Sequence, residues 1–220
     1  VGEFRWREPQ PVAAWQGTRD ASEFGNVCIQ AAGPTEGPNA RLNIAVLPDS
    51  PPRSEDCLYL NVWTGAASVS ERRPVMVYFF GGAFTEGAGS VPLYDGEALA
   101  RKGAVVVTMN YRLGPYGFFV HPALTAESPH QASGNYGLMD MLASLRWVQT
   151  NIAAFGGDPG NVTVFGQSAG AMAIASLVAS PEAKGLMHLA ISQSGAWVGL
   201  GPAAAVRTRA QAEGVGVKAG

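Results

Sequence analysis

The chain has 220 residues, of which 47 % are apolar and 15 % charged, and its formal net charge is −2. That length and apolar content suit a folded domain with a substantial core and exclude a disordered chain. The near-neutral charge, with no basic stripe, excludes nucleic acid and anionic membrane as electrostatic partners. A charged content below the usual figure of about 25 % points to a large buried interior, or to surface covered by more protein.

No apolar run approaches the roughly 20 residues of a membrane span. The best, residues 75–80 and 104–109, are strand-sized. Near Val1 the stretch Phe4-Arg5-Trp6 reads as interior sequence, so any leader is expected upstream. Two cysteines, Cys28 and Cys57, leave two readings open on spacing alone. They are two buried thiols, or one disulfide closing a loop rich in Pro and Gly. A disulfide there would contribute about 3–4 kcal/mol in the chain-entropy model and would favour an oxidising compartment, secreted or in the cell envelope.

Residues 31–56 hold much Pro, Gly and Ala and no aromatic side chain, and read as loop with one short strand over 42–47. Residues 58–63 set Leu58, Leu60 and Val62 against Tyr59, Asn61 and Trp63, the alternation of a strand with two different faces. Residues 75–80 and 104–109 are continuous β-rich runs, suited to strands buried on both faces of a parallel sheet. From 138 to 155 the apolar positions Leu138, Met141, Leu142, Leu145, Val148, Ile152 and Phe155 recur at three- and four-residue steps, which predicts a helix. Gly156-Gly157 ends it and Asp158-Pro159 turns the chain. A strand over 162–165, a Gly-rich turn, a helix over Ala169–Ala179 and a strand over Leu189–Gln193 follow. Strand–helix–strand of this length is a parallel crossover unit, so the class is α/β with an antiparallel start.

Between the 162–165 strand and the next helix stands Gly166-Gln167-Ser168-Ala169-Gly170. This strand–turn–helix setting is what a nucleophile elbow demands. Strand and helix nearly touch there, so the positions two before and two after the serine must be small, as Gly166 and Gly170 are. The turn lifts Ser168 to the carboxyl edge of the sheet, at a helix N-terminus that favours developing negative charge. Upstream, Phe80-Gly81-Gly82-Ala83-Phe84 follows another strand. A small-residue loop of this kind can aim backbone N–H groups at a tetrahedral oxyanion. The amides of Gly82, Ala83 and Ala169 are the expected donors. Phe84, in the first of these loops, and Trp197, after Gln193-Ser194-Gly195, are candidates to line a substrate pocket, though core packing suits Trp197 better.

Further phrases complete the pattern: Ser54-Glu55-Asp56-Cys57-Leu58-Tyr59-Leu60-Asn61-Val62-Trp63, Asn110-Tyr111-Arg112-Leu113-Gly114-Pro115, Gly134-Asn135-Tyr136-Gly137-Leu138, Phe155-Gly156-Gly157-Asp158-Pro159 and Gln193-Ser194-Gly195. Through most of the chain, and in order, they resemble the type-B carboxylesterase/lipase family, which includes the cholinesterases. The resemblance implies an α/β-hydrolase fold with a twisted, mostly parallel central sheet flanked by helices. It implies a Cys28–Cys57 disulfide and ester hydrolysis through an acyl-enzyme on Ser168, with no metal and no cofactor. Gln167 stands where the family usually carries Glu, beside the catalytic histidine and bonded to a serine matching Ser194. Phe80 replaces a frequent His and Ala83 a frequent Gly. The loop between the cysteines lacks the Trp that choline-selective relatives use, which argues against a quaternary ammonium substrate.

In the family the acid and the histidine follow the serine much later in the chain. The three histidines here are His121, His130 and His188, and only His188 follows Ser168, too early for that role. Residues 1–220 are therefore expected to be the N-terminal portion of a single catalytic domain, with its other triad members and its remaining partner surface beyond Gly220. Two other readings remain: an inactive cholinesterase-like binding or adhesion domain, which the intact elbow disfavours, and an acyltransferase or peptidase on the same scaffold.

Overall fold

A computed structural model describes residues 2–31, 51–195 and 207–219. The strand expected over 42–47 and the candidate Trp197 lie outside the described residues. Among the described residues seven strands are seen: β1 (Val27–Cys28), β2 (Arg53–Ser54), β3 (Leu60–Trp63), β4 (Arg73–Phe79), β5 (Val105–Met109), β6 (Gly157–Gln167) and β7 (Leu189–Gln193). Strands β1 and β2 form a two-residue parallel ladder. The others make one sheet in the order β3-β5-β4-β6-β7, with β3 antiparallel to β5 and every other pair parallel. This is the mostly parallel sheet with an antiparallel start that the sequence predicts.

The centre of the sheet follows from side-chain chemistry. All five residues of β5 are buried, and its three valines suit a strand covered on both faces. Its one polar side chain is satisfied: the Thr108 hydroxyl donates to the Gly89 carbonyl at 2.7 Å and accepts from Asn61 at 3.0 Å. In β4, Val75, Val77 and Phe79 are fully buried. Each contributes about 1.5–3 kcal/mol by leaving water.

Among the described residues six α-helices accompany the sheet: α1 (Glu97–Ala100), α2 (Gly114–Phe118), α3 (Pro122–Glu127), α4 (Tyr136–Asn151), α5 (Ala169–Ala179) and α6 (Arg209–Ala219). The predicted long helix begins two residues earlier than its first apolar marker and tightens into a 3-10 turn over Ile152–Phe155. Met141, Leu145, Val148 and Ile152 are its fully buried stripe. Gly156 caps it at φ 78°, the left-handed conformation that glycine adopts without cost. The bounds of α5 and β7 agree with the sequence reading. In β6 the Asp158-Pro159 turn is absorbed into the strand as a bulge. Arg73 faces Gly157 while Val75 already faces Val162, and Asp158 folds its carboxylate onto the Gly160 amide at 2.9 Å.

One ion pair ties the sheet's edge loop to α4. The Arg112 guanidinium holds the Asp140 carboxylate with two N–H groups, at 2.8 and 2.7 Å, and the Arg112 amide adds a third bond at 3.0 Å. The Asp140 side chain is wholly inaccessible. Burial pushes its carboxyl up from the usual range, against the pull of Arg112. Removing one partner would leave the other charge buried alone. Asp140→Ala is therefore expected to cost about 3–5 kcal/mol, read as a fall in the urea midpoint at unchanged slope. A loss under about 1 kcal/mol would show the pair to be dispensable.

Candidate active site

The end of β6 and the start of α5 form the centre of the site. Ser168 sits between them at φ 53°, ψ −119°, a conformation that costs a non-glycine residue about 1–3 kcal/mol. Two backbone bonds hold it there. Its amide donates to the Gln193 carbonyl at 2.9 Å, and its carbonyl accepts from Met172 at 2.9 Å as the first bond of the helix. Its side chain makes no capping bond to α5, so the hydroxyl is not spent on the helix end. The turn is pressed against β4. A β-carbon on Gly170 would run into the Phe79 carbonyl, and one on Gly166 would lie 2.6 Å from that oxygen. The small-residue requirement read from the sequence thus has a specific cause, the end of the neighbouring strand.

The loop that leaves β4 passes over the same turn. A β-carbon on Gly81 would stand 3.1 Å from Cβ of Ser168 and 2.8 Å from the Gln167 carbonyl. Gly82, Ala83 and Phe84 have φ of 108°, 53° and 62°, three positive values in succession. The Gly82 carbonyl accepts from the Thr85 amide at 2.9 Å, the Glu86 amide at 3.1 Å and the Thr85 hydroxyl at 3.1 Å. A planar trans peptide points its N–H opposite its C=O, so these bonds also orient the Ala83 amide. Behind the loop, the buried Tyr111 hydroxyl donates to the Phe80 carbonyl at 2.8 Å. Burial pushes that phenol up, keeping it a protonated donor. No acceptor among the described residues takes the amides of Gly82, Ala83 or Ala169.

The other candidates fall as follows. Phe84 is half-buried, with its ring 5.0 Å from Phe118 and 6.4 Å from Tyr111. Gln167 and Ser194 are both exposed beside the elbow, and no hydrogen bond joins them among the described residues. Cys28 and Cys57 form a disulfide. None of the three histidines reaches Ser168. His188 pairs through its backbone and its Nδ1 with Val162, at 2.8 and 3.1 Å. That point is six residues down β6, about 20 Å at the usual rise per strand residue. The Nδ1 of His121 accepts from the Ala123 amide at 3.2 Å as the N-cap of α3, and His130 meets Glu8 at 3.0 Å on the surface. Among the described residues no group of three His, Cys, Asp or Glu side chains is placed to hold a metal, and no helix is long and apolar enough to cross a membrane. A cleft of about 190 Å³ lies elsewhere, between the N-terminal segment and the disulfide, with Arg5, Glu55 and Tyr116 in its wall.

Sheet order, crossover and elbow define an α/β-hydrolase fold. The chain belongs to the carboxylesterase family, whose family model matches residues 1–219. It is 52 % identical over 194 residues to the fumonisin B1 esterase of Sphingopyxis macrogoltabida, covering 88 % of this chain and 34 % of that protein. It is 50 % identical over 198 residues to the para-nitrobenzyl esterase of Bacillus subtilis, covering 89 % and 38 %. A solved structure of a PNB esterase superposes with a TM-score of 0.82 at 46 % identity, covering 99 % of this chain and 41 % of that one. The chain thus spans little more than a third of the length of these curated relatives.

Proposed function

We propose that the whole protein hydrolyses carboxylic esters through an acyl-enzyme on Ser168. The observation that carries this is the strained Ser168 at the head of α5, uncapped and packed against Gly81 at the start of the small-residue loop. The Ser168 Oγ attacks the ester carbonyl carbon while its proton passes to a histidine. The carbonyl oxygen becomes an oxyanion facing the amides of Gly82, Ala83 and Ala169. The C–O bond to the alcohol then breaks, and the alcohol leaves with the histidine's proton. Water repeats the sequence on the acyl-enzyme and releases the acid. The histidine and its orienting acid come from the rest of the catalytic domain, beyond residue 220, since His121, His130 and His188 are committed elsewhere. Gln167 and Ser194 flank that histidine.

The substrate class is neutral esters of small to medium acyl chain. The two relatives are named for different esters, of fumonisin B1 and para-nitrobenzyl, so the shared part is the ester chemistry. No metal or organic cofactor enters these steps. A fluorophosphonate probe applied to the full-length protein, followed by peptide mass spectrometry, is expected to place the adduct on Ser168. An adduct elsewhere, or none in an active preparation, would remove the assignment.

A further inference from the structure

The side-chain amide of Gln30 closes on both polar atoms of Gly87. Its Oε1 accepts from the Gly87 N–H at 2.8 Å, and its Nε2 donates to the Gly87 carbonyl at 2.9 Å. The second Nε2 hydrogen goes to the Cys28 carbonyl at 3.1 Å. The partners fix the orientation of the amide, because exchanging its O and N would set like against like at Gly87. The anchor beneath it is rigid. Cys28 is buried and bonded to Cys57, whose carbonyl accepts from Asn110 at 3.1 Å.

Gly87 is the far end of the loop that begins at Phe80. Strained backbone of the kind found at Gly82, Ala83 and Phe84 persists only where its surroundings over-determine it. Tyr111 holds the near end through the Phe80 carbonyl, and Gln30 holds the far end. Between the two anchors, the turn closed on the Gly82 carbonyl sets the direction of the Ala83 amide.

We propose that Gln30 is a positioning residue for ester hydrolysis, clamping the oxyanion loop to the disulfide so that the Gly82 and Ala83 amides stay aimed. The inference rests on the reading of that loop given under Proposed function. Amides aimed at the oxyanion act on the tetrahedral state more than on the bound ester. Releasing one end of the loop therefore lowers kcat more than it raises KM.

The test uses the full-length protein with Gln30→Met, which keeps the length and loses all three bonds, and Gln30→Glu, which keeps only the acceptor for the Gly87 N–H. For Gln30→Met, kcat is expected to fall about 10–100-fold with KM within about twofold. Affinity for a trifluoromethyl ketone, which forms a tetrahedral adduct on the serine, should weaken by the same factor as kcat/KM. Gln30→Glu should fall between Gln30→Met and the parent. An unchanged kcat, or kcat and KM moving together, overturns the proposal. So does loss of the folded circular dichroism spectrum in both variants, which would make Gln30 a determinant of the fold. Ser168→Ala separates the two readings. If that variant is inactive and Gln30→Met is not impaired, only the clamp falls; if Ser168→Ala stays active, the loop's role falls and the clamp with it.

Discussion

Replacing Ser168 by alanine in the full-length protein is expected to lower ester turnover by about 10⁵–10⁶-fold, the scale seen when a serine hydrolase loses its nucleophile. The structure makes this substitution a clean one. The Ser168 hydroxyl makes no hydrogen bond among the described residues, so no partner is stranded when it goes. Alanine inherits the same φ of 53° at a similar steric cost, and the bond to the Gln193 carbonyl and the bond from the Met172 amide are backbone bonds that remain. Folding stability should stay within about 0.5 kcal/mol of the parent. The pair of measurements is a p-nitrophenyl ester assay and a thermal melt. A variant that melts normally yet keeps more than a tenth of the activity would place the nucleophile elsewhere.

The second large effect concerns residues 1–220 on their own, which are expected to show at most a trace of the full protein's turnover. A serine hydroxyl is a poor nucleophile near neutral pH without an adjacent base. His188 pairs with Val162, halfway down β6 from Ser168, His121 caps α3, and His130 pairs with Glu8. On the proposed reading, what remains is the amide cradle of Gly82, Ala83 and Ala169, which alone would support only about 10³–10⁴-fold over water. The sheet points the same way. Among the described residues strand β7 is its edge, and Leu189 and Ile191 are 61 % and 46 % exposed. An apolar edge of this kind invites pairing with other copies. Robust turnover by residues 1–220 that vanishes with Ser168→Ala would require a base among those three histidines.

The central strands and the two long crossover helices could be read from residues alone because burial imposes a local pattern. The valine run of β5, the stripe of α4 and the Ala-rich α5 carry their own period. The elbow was legible for the same reason, since its glycines answer a steric demand within five residues. What could not be read depends on distant partners. The first part of β6 contains Pro159 and Gly160 and resembles a turn, and only Arg73 across the ladder makes Gly157 part of a strand. Helix α6 includes Gly214 and Gly216, poor helix formers. Gly216 packs where a β-carbon would strike the Val120 carbonyl, and Glu213 bonds Thr125 at 2.9 Å, so tertiary contact overrides propensity. Helices α2 and α3 are too short to show a period. In the site, Tyr111 lay inside a motif phrase, but its bond to Phe80 has no sequence signal, and neither has the grip of Gln30 on Gly87. The Gln167–Ser194 bond implied by resemblance is absent among the described residues, both side chains being exposed at the end of an open edge.

The register of β4 against β6 also sets a timetable. Phe79 and Gly166 face each other across the ladder, yet most of the sheet's chain lies between them. Contacts so distant in sequence form late, after the closure entropy of the intervening segment has been met. The wall that confines the elbow, the Phe79 carbonyl against Gly170, does not exist until that ladder zips. Before then nothing compels Ser168 into its strained geometry, and a newly made or refolding chain carries an ordinary, unreactive serine. On the acyl-enzyme reading, the rate at which a fluorophosphonate captures Ser168 during refolding becomes a clock for closure of the sheet, and reactivity is among the last properties the fold acquires.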